Sequence, residues 1–147
     1  MNRKTRITIL SVVVLLIFAL PMTALATNKH WAANLQGYRP ASGSIVFGSD
    51  FGGTGLRYQG VVRSLSGNPT AIHIRASADD SILVTICSGG GCPANNSTFT
   101  GNVTASMFAS GVDPVAFIQM LDAGETYVGV ATAAYPDGEI WGTLILH

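Results

Sequence analysis

Four groups of residues in this 147-residue chain carry side chains able to do chemistry. His73 and Arg75 lie two apart in "TAIHIRAS". Cys87 and Cys92 bracket "CSGGGC". Carboxylates pair at Asp79 and Asp80, and again at Asp137 and Glu139. Tyr135 and Trp141 flank Glu139 in "TAAYPDGEIWG". Each pattern has a chemistry to be tested against it. A metal centre needs three or four convergent ligands. Here the imidazole of His73 stands beside a guanidinium that repels cations, and only the two remaining histidines, near the two ends of the exported part, are left to help it. A two-thiol redox motif wants two residues between its cysteines, and this one has four. Acid–base catalysis wants a carboxylate whose pKa is raised, whereas adjacent acids in a turn are ordinarily solvated. No G-x-S-x-G elbow or other nucleophile context surrounds any serine. The residues therefore predict no catalytic site, no bound metal and no cofactor. The alternatives weighed against this are a degenerate metal site on His73 and a small hydrolytic enzyme.

The aromatic pair leaves two readings open. Glu139 and Trp141 are two apart and share a face if the segment is a strand. With Ile140, Leu144 and Leu146 turned to the core, that face is the outer one, and Tyr135, Glu139 and Trp141 would form a contact patch. In the other reading Trp141 packs under a helix or a neighbouring sheet. Glu139 then pairs with Arg75 or Arg57 and braces the hairpin.

Whatever the site, an address precedes it. Arg3, Lys4 and Arg6 are followed by the apolar run Ile7–Leu20, then Pro21 and the small-x-small "ALA" ending at Ala26. This is the layout of a signal peptide over residues 1–26, cleaved near Ala26; an uncleaved N-terminal membrane anchor is the alternative. The domain then spans 27–147. It holds five basic and eight acidic residues, a net charge of about −3. Scattered basic residues exclude nucleic acid as a partner, and leave the membrane as one only if the leader stays attached. Export to an oxidising compartment makes Cys87 and Cys92 a disulfide that staples one loop, at roughly 2 kcal/mol for so short a loop.

The positioning elements are mostly strands. "GLRYQGVVRS" alternates, with Leu56, Tyr58 and Val62 against Arg57, Gln59 and Arg63. "TAIHIRAS" turns Ile72 and Ile74 inward and His73 and Arg75 outward. "ETYVGVATAA" sets Tyr127, Gly129 and Ala131 against Val128, Val130 and Thr132. "SILVTIC" is apolar throughout and reads as a central strand; "SIVFGS" and "STFTGNVTAS" are weaker candidates. "GSDFGGTG" lacks the Lys-Ser/Thr of a phosphate loop and reads as a hairpin turn. One helix is expected near 113–122, with Asp113 as cap, Pro114 in the first turn and Gly124 at its end. Seven or eight short strands with tight turns predict an all-β, antiparallel sandwich or barrel, of immunoglobulin-like or superoxide-dismutase-like type.

The terminal hairpin "ETYVGVATAAYPDGEIWGTLIL" resembles the C-terminal signature of the CHRD domain, the module named after chordin. That signature reads Y-V-N-V-H-T, a turn ending P-G-G, then E-I-R-G-Q-L. "TAIHIRAS" is similar to the family's A-H-I-H-G-P segment, and "WAANLQGYRPASGS" to its opening A-x-L-x-G run. Tyr127, Pro136, Gly138, Glu139, Ile140, Gly142 and Leu144 keep the pattern. The family's histidines correspond to His73, Arg75 and Ala131; its asparagine is Gly129, its arginine Trp141 and its glutamine Thr143. The resemblance implies a secreted, non-catalytic module that binds an extracellular protein or a cell-surface component, with His73, Arg75, Tyr135, Glu139 and Trp141 as candidate contacts.

Overall fold

The computed structural model describes residues 28–49 and 55–147. The segment 1–26, expected to be a signal peptide, and the centre of "GSDFGGTG" lie outside the described residues. Nine strands run in chain order: β1 (His30–Gly37), β2 (Ser42–Ser49), β3 (Leu56–Arg63), β4 (Pro69–Ala76), β5 (Ile82–Ser88), β6 (Ser97–Val103), β7 (Thr126–Thr132), β8 (Ile140–Thr143) and β9 (Ile145–Leu146). Every pairing is antiparallel, and the strand order is β5-β4-β7-β8-β1-β2-β3-β6, with β9 also on β1. The sheet coils until it is nearly closed into a barrel, the all-β fold expected. Among the described residues no helix is long and apolar enough to cross a membrane.

Period-two burial explains the wall. Ile72 and Ile74 of β4, Val128 and Val130 of β7 and Ile45 and Phe47 of β2 are fully buried, while their chain neighbours face outward. The strand β1, which alternation in the sequence did not single out, contributes Trp31, Ala33 and Leu35 to the same core. Its register with β2 runs His30↔Gly48 to Gln36↔Ser42. On β3 and β6, two glycines face aromatic rings across the ladder, Gly60 opposite Phe99 and Gly101 opposite Tyr58. Each ring covers the glycine of its partner strand, a pairing that fixes register.

Two expectations are corrected. "SILVTIC" is not a central strand: β5 ends the strand order and pairs only with β4, apart from one bridge. Its apolar residues are buried because the chain folds over its free side. Val84 bridges Phe108, and Ala109 N–H donates to the Leu83 carbonyl at 2.9 Å. Leu146 is 40% exposed and not a core residue, since β9 is only two residues long and Leu144 takes the inward position.

The helix α1 (Pro114–Asp122) has the ends that its sequence specifies. Asp113 accepts hydrogen bonds from the N–H groups of Val115 and Ala116. At the far end Gly124 adopts φ +69°, Gly124 N–H bonds the Leu121 carbonyl, and Glu125 N–H bonds the Met120 carbonyl. That pair of bonds is a Schellman motif, which needs a left-handed residue at the glycine. The helix buries Phe117 and Leu121, and Phe117 meets Phe108 edge-on at 5.4 Å. It packs against the Phe108 segment and, toward its C-terminal end, beside β9 and the start of β1. Asp122, in its last turn, accepts from both Lys29 and the indole N–H of Trp31, so the largest core side chain has its polar atom satisfied.

Cys87 and Cys92 form the expected disulfide, across the short Gly89–Gly91 turn at the end of β5. Beyond it, Asn95 and Asn96 clamp the β3–β4 loop. Asn95 donates to the Leu65 carbonyl and accepts from its N–H, and Asn96 accepts from Ser64 N–H.

Close approach of β8 to β1 depends on glycine. A Cβ on Gly142 would stand 2.2 Å from the Asn34 carbonyl oxygen, and one on Gly37 would stand 2.1 Å from that of Glu139. Both obstacles are backbone and cannot swing aside. Gly142→Ala is expected to destabilise by about 3 kcal/mol, the upper end of overpacking costs, read from the urea midpoint. Gly67→Ala, with open space around its Cβ, serves as the neutral control.

Candidate functional site

The outer face of β4, β7 and β8 carries a shallow groove of about 370 Å³. Its floor is set by register. Arg75 pairs with Tyr127, and Tyr127 with Thr143; His73 pairs with Gly129, and Gly129 with Trp141. Ala131 follows on the third rung, opposite Ala71. The turn after β4 adds Asp80 at one end, and the β7–β8 turn adds Asp137 and Gly138 at the other. Gly129 leaves the middle empty, since a Cβ there would touch only the Tyr127 ring, at 3.8 Å.

Most polar groups at the Arg75 end are tied down. Tyr127 donates its phenol to Asp80 Oδ1 at 3.0 Å, and Arg75 donates to the Asp80 carbonyl at 3.0 Å. Burial, together with the bond to Asp80 and its charge, pushes the Tyr127 phenol up from its ordinary value. His73 is half-buried, with Nδ1 3.2 Å from the Thr85 hydroxyl. Burial and, secondarily, the Arg75 charge push its pKa down, so the ring is neutral at physiological pH. Among the described residues no cluster of three or more His, Cys, Asp or Glu is placed to hold a metal ion.

Trp141 is 49% exposed and forms one side of the groove. It does not pack under the helix or under another sheet. Beside it stand two tyrosines: Tyr38 stacks on Tyr135 at 4.4 Å and meets Trp141 edge-on at 6.3 Å. The contribution of Tyr38 was missed in the sequence, because it sits after β1 in a segment whose position beside the terminal hairpin follows from the β1–β8 pairing alone.

Glu139 is not on the outer face, and its partners are not those expected. It shares no face with Trp141 and pairs with neither Arg75 nor Arg57. Its N–H still bonds the Val130 carbonyl at 2.7 Å while Val130 pairs with Ile140, so two residues oppose one, as in a β-bulge. The alternation breaks there, and Glu139 is only 2% exposed. Its carboxylate is held by donors alone. Ser66 N–H donates to Oε1 at 2.7 Å, the Ser66 hydroxyl to Oε2 at 2.7 Å and the Thr132 hydroxyl to Oε2 at 2.6 Å. The two hydroxyl oxygens lie 3.0 Å apart, the longest edge of the triangle, because both protons are spent on the carboxylate. The group braces the hairpin, as one reading held, but through hydroxyls from β7 and the β3–β4 loop instead of a cation.

With that geometry established, comparison with protein families gives one result: a model of the CHRD domain matches residues 24–144. The chain belongs to the CHRD domain family. No curated protein and no solved structure matches it. Positions that keep the CHRD signature lie both inside the barrel and in the groove, which His73, Tyr127 and Gly138 help to line. Glu139, Ile140 and Leu144, which keep the signature, are buried. Arg75, Gly129, Ala131, Trp141 and Thr143, which depart from it, all line the groove. Of the candidate contacts, the fold gathers His73, Arg75 and Trp141 into one groove, sets Tyr135 behind Trp141 through Tyr38, and puts Glu139 inside.

The Glu139 network has a pH signature. Burial alone would raise the carboxyl pKa, but the bonds from Thr132 and Ser66 outweigh it and hold it below the ordinary 4.5. A value lower in the folded than in the unfolded state stabilises the fold fully above the unfolded pKa. That contribution is lost as pH falls through the folded one. Glu139→Gln is expected to cost about 1–3 kcal/mol at neutral pH, since an amide cannot accept all three bonds. Urea midpoints of the two proteins should draw together as pH falls below the ordinary 4.5 and through the lower folded value; a gap that stays constant with pH would show that Glu139 is not ionised in the fold.

Proposed function

We propose that this CHRD domain is a non-catalytic interaction module that works outside the cytoplasm, carried there by the segment 1–26, and that it binds a cell-surface or extracellular component through the outer face of β4, β7 and β8. The observation that carries this reading is an indole half exposed on a sheet face, at the side of a groove that also presents several polar side chains. Burying such a residue against a partner recovers apolar area that the monomer leaves in water. The polar residues around it support binding over turnover. The Asp80 carboxylate is engaged by Tyr127, and Ser66 and Thr132 spend their hydroxyl protons on Glu139 instead of on a base that could activate them.

A disulfide, a leader-like N-terminus and a net negative domain all suit an exported protein. The membrane is then the route of export, and no cofactor is called for.

The test uses the purified, fluorescently labelled protein on intact cells of its source organism. Saturable binding is expected, weakened at least tenfold by Trp141→Ala at an unchanged melting temperature. Binding that is absent, or that survives the substitution, would overturn the assignment of this face.

A further inference from the structure

The groove also restricts what it can hold. Its charged groups are one guanidinium, Arg75, and two carboxylates, Asp80 and Asp137. A phosphate, sulfate or carboxylate ligand would meet more repulsion than attraction there. A bare cation would have Arg75 beside it and no third ligand among the described residues. A peptide strand has no ladder to join, because β4, β7 and β8 each pair on both sides. Recognition has to come from side chains alone, on a ligand that is uncharged and polar, with one apolar surface for Trp141.

A sugar ring has those properties. Its axial C–H groups form an apolar face that stacks on an aromatic plane, and its hydroxyls both donate and accept. We propose that the groove binds a neutral oligosaccharide, with one ring on the Trp141 indole over Gly129 and its hydroxyls on Asp137, His73 and Arg75. The proposal rests on the preceding reading of this face as the binding site and names its ligand class. The chemistry of each partner fits. Asp137 accepts from hydroxyl pairs, Arg75 donates, and His73, with Nδ1 on Thr85, keeps Nε2 for the ligand. The volume, about 370 Å³, lies at the lower end of small-molecule sites. From Tyr127 to Ala131 the floor extends about 13 Å along the strand, which suits a disaccharide or trisaccharide better than a single ring. The edge contact from Tyr38 orients the indole and leaves about half of it exposed.

Gly129 supplies the decisive variant. Its backbone is not in the left-handed region and a Cβ there meets only the Tyr127 ring, so Gly129→Leu projects into the floor from a position that accepts a side chain and faces away from the core. Intrinsic tryptophan fluorescence supplies the readout, because Trp31 is buried and a ligand in the groove alters Trp141 alone. The purified protein is titrated with neutral gluco-, manno-, galacto- and N-acetylglucosamine oligosaccharides, and with uronic-acid and sulfated ones as controls. At least one neutral series should give a saturable change, weakened tenfold or more by Gly129→Leu, and titration calorimetry should show the same loss in Trp141→Phe, both at unchanged melting temperatures. Binding to none of the neutral series, binding only to the acidic ones, or full retention of binding in Gly129→Leu would overturn the proposal. Periodate treatment of the cells used above separates the two readings. Cell binding that survives destruction of vicinal diols, yet is lost in Trp141→Ala, keeps the face as a binding site and removes the sugar as its ligand. Cell binding insensitive to Trp141→Ala removes both.

Discussion

A buried carboxylate without a counter-ion sets the end of the barrel on which the groove is built. Taking Glu139 out of water costs several kcal/mol, and the cost is offset only if every lone pair it turns inward finds a donor. Three donors converge on it, from the β3–β4 loop and from the last residue of β7. They are charge-assisted bonds in a site shielded from solvent, the setting in which such bonds are strongest. The network therefore needs Ser66 in one place. That place is secured from the far side, by Asn95 and Asn96 holding Leu65 and Ser64. A chain of contacts thus runs from the loop following the disulfide, through the β3–β4 loop, to the turn that carries Asp137 and Gly138.

The same residue fixes the aromatic side of the groove. The Glu139 carbonyl accepts from Tyr38 N–H at 3.1 Å, and Gly37 lets β1 come close enough for that bond. Tyr38 is thereby brought against Tyr135 and Trp141. A larger residue at 37 or at 142 would push β1 from β8 and break the link between the two halves of the sheet, because among the described residues β8 is the strand that pairs with both β1 and β7. The exposed surface is thus held by main-chain contacts beneath it, and side chains on its outer side can change with little effect on the barrel.

Legibility in the sequence followed the same division. Period two located the faces of β3, β4 and β7 correctly, so alternation alone sets His73, Arg75, Tyr127 and Gly129 on the outside. The helix was legible from its caps, and the disulfide from its spacing and the expected compartment. Glu139 was not, because a bulge shifts the alternation by one residue and leaves no mark in composition. An acid directly after Pro-Asp-Gly looks solvated; only the long-range position of Ser66 shows otherwise. The misjudged β5 has a similar cause. An apolar run says that a strand is covered on both sides, and here one cover is the segment around Phe108 instead of a neighbouring strand.

The two sets of CHRD positions differ in what opposes change at them. Positions that keep the family pattern include Glu139, Ile140, Gly142 and Leu144, each of which is buried or pressed against another strand's backbone. Substitution there is opposed by desolvated charge or by steric overlap, both worth several kcal/mol. Positions that depart from it project from the outer face, where a changed side chain costs little stability. Two of the departures, Gly129 and Ala131, remove bulk from the floor, and a third, Trp141, adds a plane at its side. Side chains of this face can therefore change while the barrel beneath them is kept, so the chemistry of the groove is set separately from the fold.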